Sequence, residues 1–377
     1  MISIQMEPVD TLFFRDGTPF SAGSASQEDV GGLFPPHPAS VAGALRAALA
    51  RLNGWTGNGP WPQQLNRTLG DGPDDLGKLS FTGPFLLRGS EPLFPCPRHV
   101  LGSREGKAWR PRVLLRPGTP VVCDLGDKVL LPEVPPKEGD AEAADLNVGE
   151  GWWLTRSGLE AVLRGDIPPP TEVVPSGDLW REERRIGLER NDATRTAQEG
   201  MLYSTRHVRP LPGVALGVRV AGLPATWSLP FGHVVALGGE SRLAECREWQ
   251  GDVAIEMPLA AIEASRRMTL IALTPIDLDE AINLAGEPLL TALGDARVIS
   301  ACLSRPQRIG GWDSLTRRPL PLRSVLPAGS VLFCELAETQ RLRAAIANGL
   351  PRIGERQEWG YGVVALGTWS DELEVIS

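Results

Sequence analysis

Arg184, Arg185, Arg195 and Arg206 fall within one stretch of the chain that also holds Thr196 and Tyr203. A guanidinium offers paired N–H donors to phosphate oxygens, a threonine hydroxyl adds a donor, and a phenol ring gives a face on which an unpaired base can stack. In combination these groups can grip single-stranded RNA. The stretch, residues 181–209, mixes seven arginines with five acids and has no clean helical or strand period, so it reads as an ordered functional loop or hairpin. Other cations sit beside turns. Arg15 precedes Asp16 and Gly17, where it can pair locally or contact RNA, and Arg46 can project toward an anion from a helix. Gly238, Gly239 and Arg242, around Ser241, can form either an anion-binding turn with Glu240 paired internally or a plain tight turn. Near the C-terminus, Gly354, Gly360 and Gly362 stand with Arg352 and Arg356 in the run Pro351–Gly362. Glycine lets backbone N–H groups approach a phosphate closely, although this spacing also suits an ordinary turn.

Other chemistries find little support. There is no Walker-type loop and no GxGxxG, so no nucleotide cofactor is indicated. The five cysteines include no CxxC, and the four histidines no paired spacing, so the reading is of structural thiols, no metal and no catalytic residue. The formal net charge of −8 argues against nucleic-acid binding through bulk positive charge and leaves a local basic groove as the possibility. Lys and Arg total 38, of which Lys78, Lys107, Lys128 and Lys137 are the lysines. The skew to arginine suits phosphate contact, and a GC-rich genome would produce it equally. Where the arginines fall says more than their number.

The elements that must position these groups follow from period and punctuation. With 377 residues, 42% of them hydrophobic, and Gly 42 with Pro 34, the chain reads as two globular domains rich in loops. Ile2–Glu7 has strand alternation before Pro8, and Ser40 is positioned to cap a helix in which Val41, Leu45, Ala48, Leu49 and Leu52 share a face ahead of Gly54. Residues 55–150 read as a Pro/Gly/Trp-rich insertion with short strand-like pieces at Leu79–Phe81 and Phe85–Arg88. Within it Arg98, Arg104, Lys107, Arg110, Arg112 and Arg116 face only Glu105, and residues 135–150 form an acidic loop. Helices are expected over 157–164, 287–293 and 337–347, and strands over 269–273, 297–303, 330–336 and 361–369. The domains are thus 1–165, an arginine-rich loop or hairpin at 166–213, and 214–377. No apolar run is long enough to span a membrane, and the N-terminus lacks a signal pattern, which points to the cytoplasm.

Leu12–Phe20 (LFFRDGTPF) and Leu33–Arg46 (LFPPHPASVAGALR) resemble the N-terminal signature of the third subunit family of type III-B (Cmr) CRISPR effector complexes, within the RAMP superfamily. The matching positions include Pro8, Asp10, Pro19, Phe20, Phe34–Pro36, Pro38 and Gly43–Arg46, with Ser40 for the usual threonine. Ile186–Tyr203, Leu237–Arg242, Gly310–Asp313 and Pro351–Gly362 resemble further segments of that family in the same order. The resemblance implies an α+β protein of two ferredoxin-like (RRM-like) domains with long insertions. It also implies a non-catalytic subunit without cofactor. Its partners would be the 5′ handle of the guide RNA (crRNA), the large polymerase-like subunit and the RAMP backbone subunits. Two rivals remain. A guide-processing, metal-independent RAMP endoribonuclease would need a positioned base. For that role His37 is a poor candidate, in a variable family position with no lysine nearby. A pure assembly subunit would spend its arginines on protein contacts alone. Trp152, Trp153, Trp312 and Trp359 can stack bases or pack cores and interfaces.

Overall fold

The computed structural model describes residues 1–17, 28–123, 126–135, 145–191, 193–278, 293, 295–313, 318–347 and 349–370. Pro19, Phe20, most of the acidic stretch 135–150 and the helix expected over 287–293, apart from Leu293, lie outside the described residues. Two antiparallel sheets form the frame. The larger runs in spatial order Val173–Pro175, Trp152–Leu154, Glu91–Pro95, Ser80–Arg88, Val214–Ala221, Ile2–Pro8, Leu243–Glu248, Val234–Ala236. The smaller runs Ala296–Cys302, Val331–Leu336, Arg267–Ala272, Val364–Gly367. Taking the four principal strands of each in chain order, both sheets place them as second, third, first, fourth.

Two sequence expectations change here. Residues 214–248 pair with the opening strand on both its sides, Ile4 facing Val218 across one seam and Glu248 across the other. They therefore complete the first sheet, and the second sheet begins at Arg267 rather than at 214. Likewise Ser80–Arg88 and Glu91–Pro95 are strands of the main sheet, not part of an insertion. The reason is burial: an unpaired central strand would leave its backbone polar groups unsatisfied, so the chain supplies partners from wherever they occur in sequence.

Strand alternation sorts the apolar side chains into layers. Leu86 enters a core beneath the first helix, while Phe85 and Leu87 enter a second core shared by both sheets. From the other sheet Ile271, Phe333 and Ala365 meet them in that shared core, and Leu270, Leu332 and Leu366 point away into a third. Each of these leucine, isoleucine and phenylalanine side chains, fully buried, contributes about 1.5–3 kcal/mol. The helix Arg156–Arg164 adds Leu159, Val162 and Leu163 to the shared layer; Thr155 caps it by accepting from the Gly158 N–H, and Gly165 ends it at φ 90°. The first helix runs Pro38–Leu52, starting two residues before the expected cap because Pro38 occupies N1, where its missing N–H costs nothing. The helix expected over 337–347 is Gln340–Ile346, and the final strand is Val364–Gly367. Residues 181–209 do form a hairpin, Trp180–Arg190 with Ala197–Pro210, to which Glu28–Val30 adds a parallel strand.

The C-terminal connection 351–363 closes the assembly. Trp359 and Tyr361 enter the first core, Val363 the shared core and Ile353 the third. Gly360, at φ 100°, lies where a Cβ would come within 2.2 Å of the Gly83 carbonyl oxygen. Gly360→Ala should therefore lower the melting temperature by about 5 °C or more, whereas Gly72→Ala, where a Cβ meets nothing, should leave it within about 1 °C; thermal unfolding checks both.

Besides His207, two further imidazoles are largely or fully buried. His99 lies edge-on to Phe333, and burial pushes it down to about 3; His37 is pushed down to about 4 by burial and then by the nearby Arg356 charge. The folded state keeps both neutral while the unfolded chain binds protons near 6.5, so their contribution is present above that pH and is lost as pH falls toward 4. Urea unfolding should show roughly 2–3 kcal/mol of loss per imidazole between pH 7 and 4.5, and His99→Leu should show a shallower loss over the same interval.

Candidate nucleic-acid interface

Residues from six separated segments, the Pro73–Asp74 turn among them, line one open groove of about 660 Å³. The loop after the opening strand contributes Phe13, Phe14 and Arg15. The first helix contributes Ser40, Gly43 and Arg46. The turn after Val234–Ala236 adds Gly238 and Gly239, the segment 309–323 adds Gly310, Trp312 and Arg323, and the C-terminal loop adds Arg356 and Trp359. The fold thus gathers Arg15, Arg46, Gly238, Gly239 and Arg356, although they span most of the chain.

Gathering does not make all of them available. Arg46 is 5% exposed: its Nε donates to the Leu69 carbonyl at 2.9 Å, and Nη2 donates to those of Gly72 at 3.1 Å and Asp75 at 2.7 Å. Its guanidinium lies 5.1 Å from the Trp61 ring centre and 5.3 Å from that of Trp359, and burial brings its pKa down to about 10 against the pull of Asp75. The expectation that Arg46 reaches for an anion is therefore corrected. It folds the 69–75 loop onto the helix, because a buried guanidinium has to satisfy its donors within the protein. Arg352 is also turned inward. It donates to the Gln357 carbonyl at 2.6 Å and to the hydroxyls of Ser80 and Thr82, tying the C-terminal loop to the main sheet. Burial lowers its pKa, partly offset by Glu358.

Three of the glycine amides are likewise committed inside the protein. Gly360 N–H donates to the Gln357 carbonyl and Gly362 N–H to that of Pro275, so neither amide presents itself to a phosphate. Gly354 packs where a Cβ would be 2.3 Å from the Asp277 carbonyl oxygen. Gly239 N–H donates to the Phe13 carbonyl at 2.8 Å, and Gly238 sits at φ 90° against the same oxygen. Close packing accounts for glycine at 238, 354, 360 and 362.

On the hairpin, Arg184 stands opposite Arg206, both exposed, and Arg184 donates to the Ser204 hydroxyl at 3.2 Å. Arg195, at φ 57°, and Thr196 are exposed near its tip, and Tyr203 is half-buried beside Gly187. Ile186 and Leu188 share the Arg184 face at 72% and 54% exposure. Arg185 differs: it meets Glu183 at 2.7 Å and Asp10 at 3.5 Å. Arg242 lies 3.8 Å from both Asp10 and Glu240, while Arg209 reaches Asp10 at 2.7 Å and also pairs with Glu183. The Asp10 carboxyl is held below its ordinary range by the Arg209 hydrogen bond, then by the Thr11 N–H. Arg185 and Arg242 thus serve a paired network that roots the hairpin on the N-terminal loop.

Arg356 lines the groove. Its guanidinium lies 4.9 Å from the Trp359 ring centre and 5.1 Å from that of Tyr361, and its buried Nε has no hydrogen-bond partner. Arg323, 45% exposed at the groove, is held by the buried Asp277 carboxylate at 3.3 Å. Trp312 is 61% exposed at the same mouth, whereas Trp359 is buried and Trp152 and Trp153 pack against cores. Sequence reading passes over Arg323, since nothing near it in the chain distinguishes it. Its role comes from Asp277, 46 residues away. Gly43 is the other addition. It lies inside a helix, where glycine costs about 1 kcal/mol relative to alanine, and a Cβ there would meet nothing within 4 Å. Packing does not require glycine at that position, and the space in front of it opens onto the groove.

Arg46→Ala should act on stability. Removing donors from buried carbonyls costs about 2–4 kcal/mol, which chemical denaturation should register in the purified chain without RNA.

A family model described as CRISPR-associated protein (Cas_Cmr3) matches residues 4–369. Among curated proteins, none matches the sequence. In solved structures, the chain is similar to a chain of a type III-B Cmr-β complex bound to cognate target RNA, determined by cryo-electron microscopy, with 17% identity, 96% of each chain covered and a TM-score of 0.53. A chain of the same type of complex with target RNA and AMPPnP gives 19% identity over 88% of this chain and 86% of that one, with a TM-score of 0.45.

Proposed function

Because the chain belongs to the Cas_Cmr3 family of CRISPR-associated proteins, we propose that it is a non-catalytic, RNA-gripping subunit of a type III-B (Cmr) effector complex. On this reading it holds the 5′ repeat-derived handle of the guide RNA and bridges the large polymerase-like subunit to the RAMP backbone subunits. We read the two sheets, with their shared strand order, as two ferredoxin-like units, the first carrying the hairpin as an insertion.

The observation that carries the reading is the groove. Arg15, Arg323 and Arg356 surround it, Trp312 stands exposed at its mouth, and the Gly43 gap leaves room for a close-lying strand. Cations fix the phosphates of a single strand, while an indole face accepts a splayed base of any sequence. The hairpin adds Arg184, Arg195, Arg206, Thr196 and the Tyr203 ring on the other side of the Phe13 loop. The acidic net charge and the many arginines consumed by internal pairs favour a site completed by neighbouring subunits, with weak binding by the chain alone. The non-catalytic reading is supported by His37, whose ring nitrogens are buried without partners and whose pKa is pushed down to about 4. A general base has to reach its proton.

In a reconstituted complex, Trp312→Ala and Arg356→Ala should each weaken guide retention about 5- to 100-fold. Gly43→Trp, which fills the gap, should do the same with little change in melting temperature. Ultraviolet crosslinking with peptide mass spectrometry should place handle crosslinks in 309–323, 351–362 or the hairpin. Crosslinks absent from all three would overturn the site.

A further inference from the structure

The groove wall formed by Gly238 and Gly239 belongs to a turn whose next two residues, Glu240 and Ser241, both take left-handed backbone angles, φ 52° and 55°. Residues with a Cβ occupy that region at a cost, so consecutive cases persist only where surrounding contacts enforce them. The contact beneath this turn is a buried imidazole. His207, on the hairpin, has a fully buried side chain; its Nε2 lies 3.2 Å from a Glu240 carboxylate oxygen and 3.1 Å from the Thr205 hydroxyl, and its Nδ1 lies 3.4 Å from the Thr11 hydroxyl. The ring stacks on Phe13 at 4.9 Å and 17°, and the Phe13 carbonyl accepts from Gly239 N–H. Burial holds the His207 pKa below its ordinary value against the pull of Glu240, with Arg242 and Arg185 acting in the same direction as burial. A neutral ring donating from Nε2 to Glu240 and accepting at Nδ1 from Thr11 satisfies both nitrogens.

We infer that His207 and Glu240 form a latch that holds the strained turn 238–241 against Phe13, making both positioning residues for the groove wall between the hairpin and the Arg15 loop. Glu240 is the partner that gives access to the latch, since it is about one-third exposed and can be changed without opening a core cavity. The latch rests on the proposed RNA-binding reading only for its consequence, not for its geometry.

The test compares three substitutions at one position. Glu240→Ala removes the acceptor and keeps the strained backbone, Glu240→Gln keeps an acceptor, and Glu240→Gly removes the acceptor and relieves the strain at 240 while that at Ser241 remains. Hydrogen–deuterium exchange of the peptide spanning 237–242, whose Leu237, Gly239 and Arg242 amides are hydrogen-bonded, reads the turn without RNA. Guide retention in the reconstituted complex reads the groove. Exchange should accelerate at least tenfold in Glu240→Ala, stay within threefold of the parent in Glu240→Gln and fall between the two in Glu240→Gly, and guide retention should fall in the same order. Unchanged exchange in Glu240→Ala, or equal effects of all three substitutions, overturns the latch. Accelerated exchange with unchanged guide retention supports the latch and counts instead against the groove as the RNA site.

Discussion

The contact on which the rest of this structure depends is the insertion of the connection 351–363 among the three apolar cores. Gly360 lies against the Gly83 carbonyl with no room for a side chain, and Gly362 does the same at Ile353. From that close approach Trp359 and Tyr361 reach the first core, Val363 the shared one and Ile353 the third. Arg352 then ties the connection to the hydroxyls of Ser80 and Thr82. A segment whose glycines and arginine suggest an external anion site is therefore mostly an internal joint. Its outward product is Arg356, set over two aromatic rings at the groove.

Charge is distributed by the same logic. Guanidinium groups near the candidate site divide into those that build it and those that face it. Arg46 and Arg352 are desolvated and spend their donors on carbonyls and hydroxyls. Arg185, Arg209 and Arg242 balance Asp10, Glu183 and Glu240 where the hairpin meets the N-terminal loop. That network keeps the rim close to electrically neutral, so an acidic protein can still present a few cations at defined points. Asp277 shows the device on a small scale: buried beneath the groove, its side chain aims Arg323, and its backbone carbonyl accepts from Glu355 N–H beside Arg356.

Local pattern made part of this legible from the chain alone. The first helix follows from Val41, Leu45, Ala48 and Leu49 at helical spacing, and the helix ending at Gly165 from its cap residues, because period and capping are set by near neighbours. The strands 267–272, 296–302 and 331–336 were legible for the same reason, whereas the family was legible by resemblance, in segments that recur in order from Leu12 to Gly362. The half-boundary was not. The opening strand finds both its partners beyond residue 213, and no local signal records a pairing that distant.

The sequence by itself determined which residues carry charge, aromatic faces and glycine freedom, and in which order they come. Only the tertiary structure decided which of them face outward. Arg46 and Arg356 are the same residue type against the same Trp359 ring, yet one donates to three backbone carbonyls while the other has an unpartnered Nε beside the groove. The depth of burial separates them: Arg46 is 5% exposed and Arg356 half-buried, and the acceptors of Arg46 come from a segment that meets the helix only once the chain has folded.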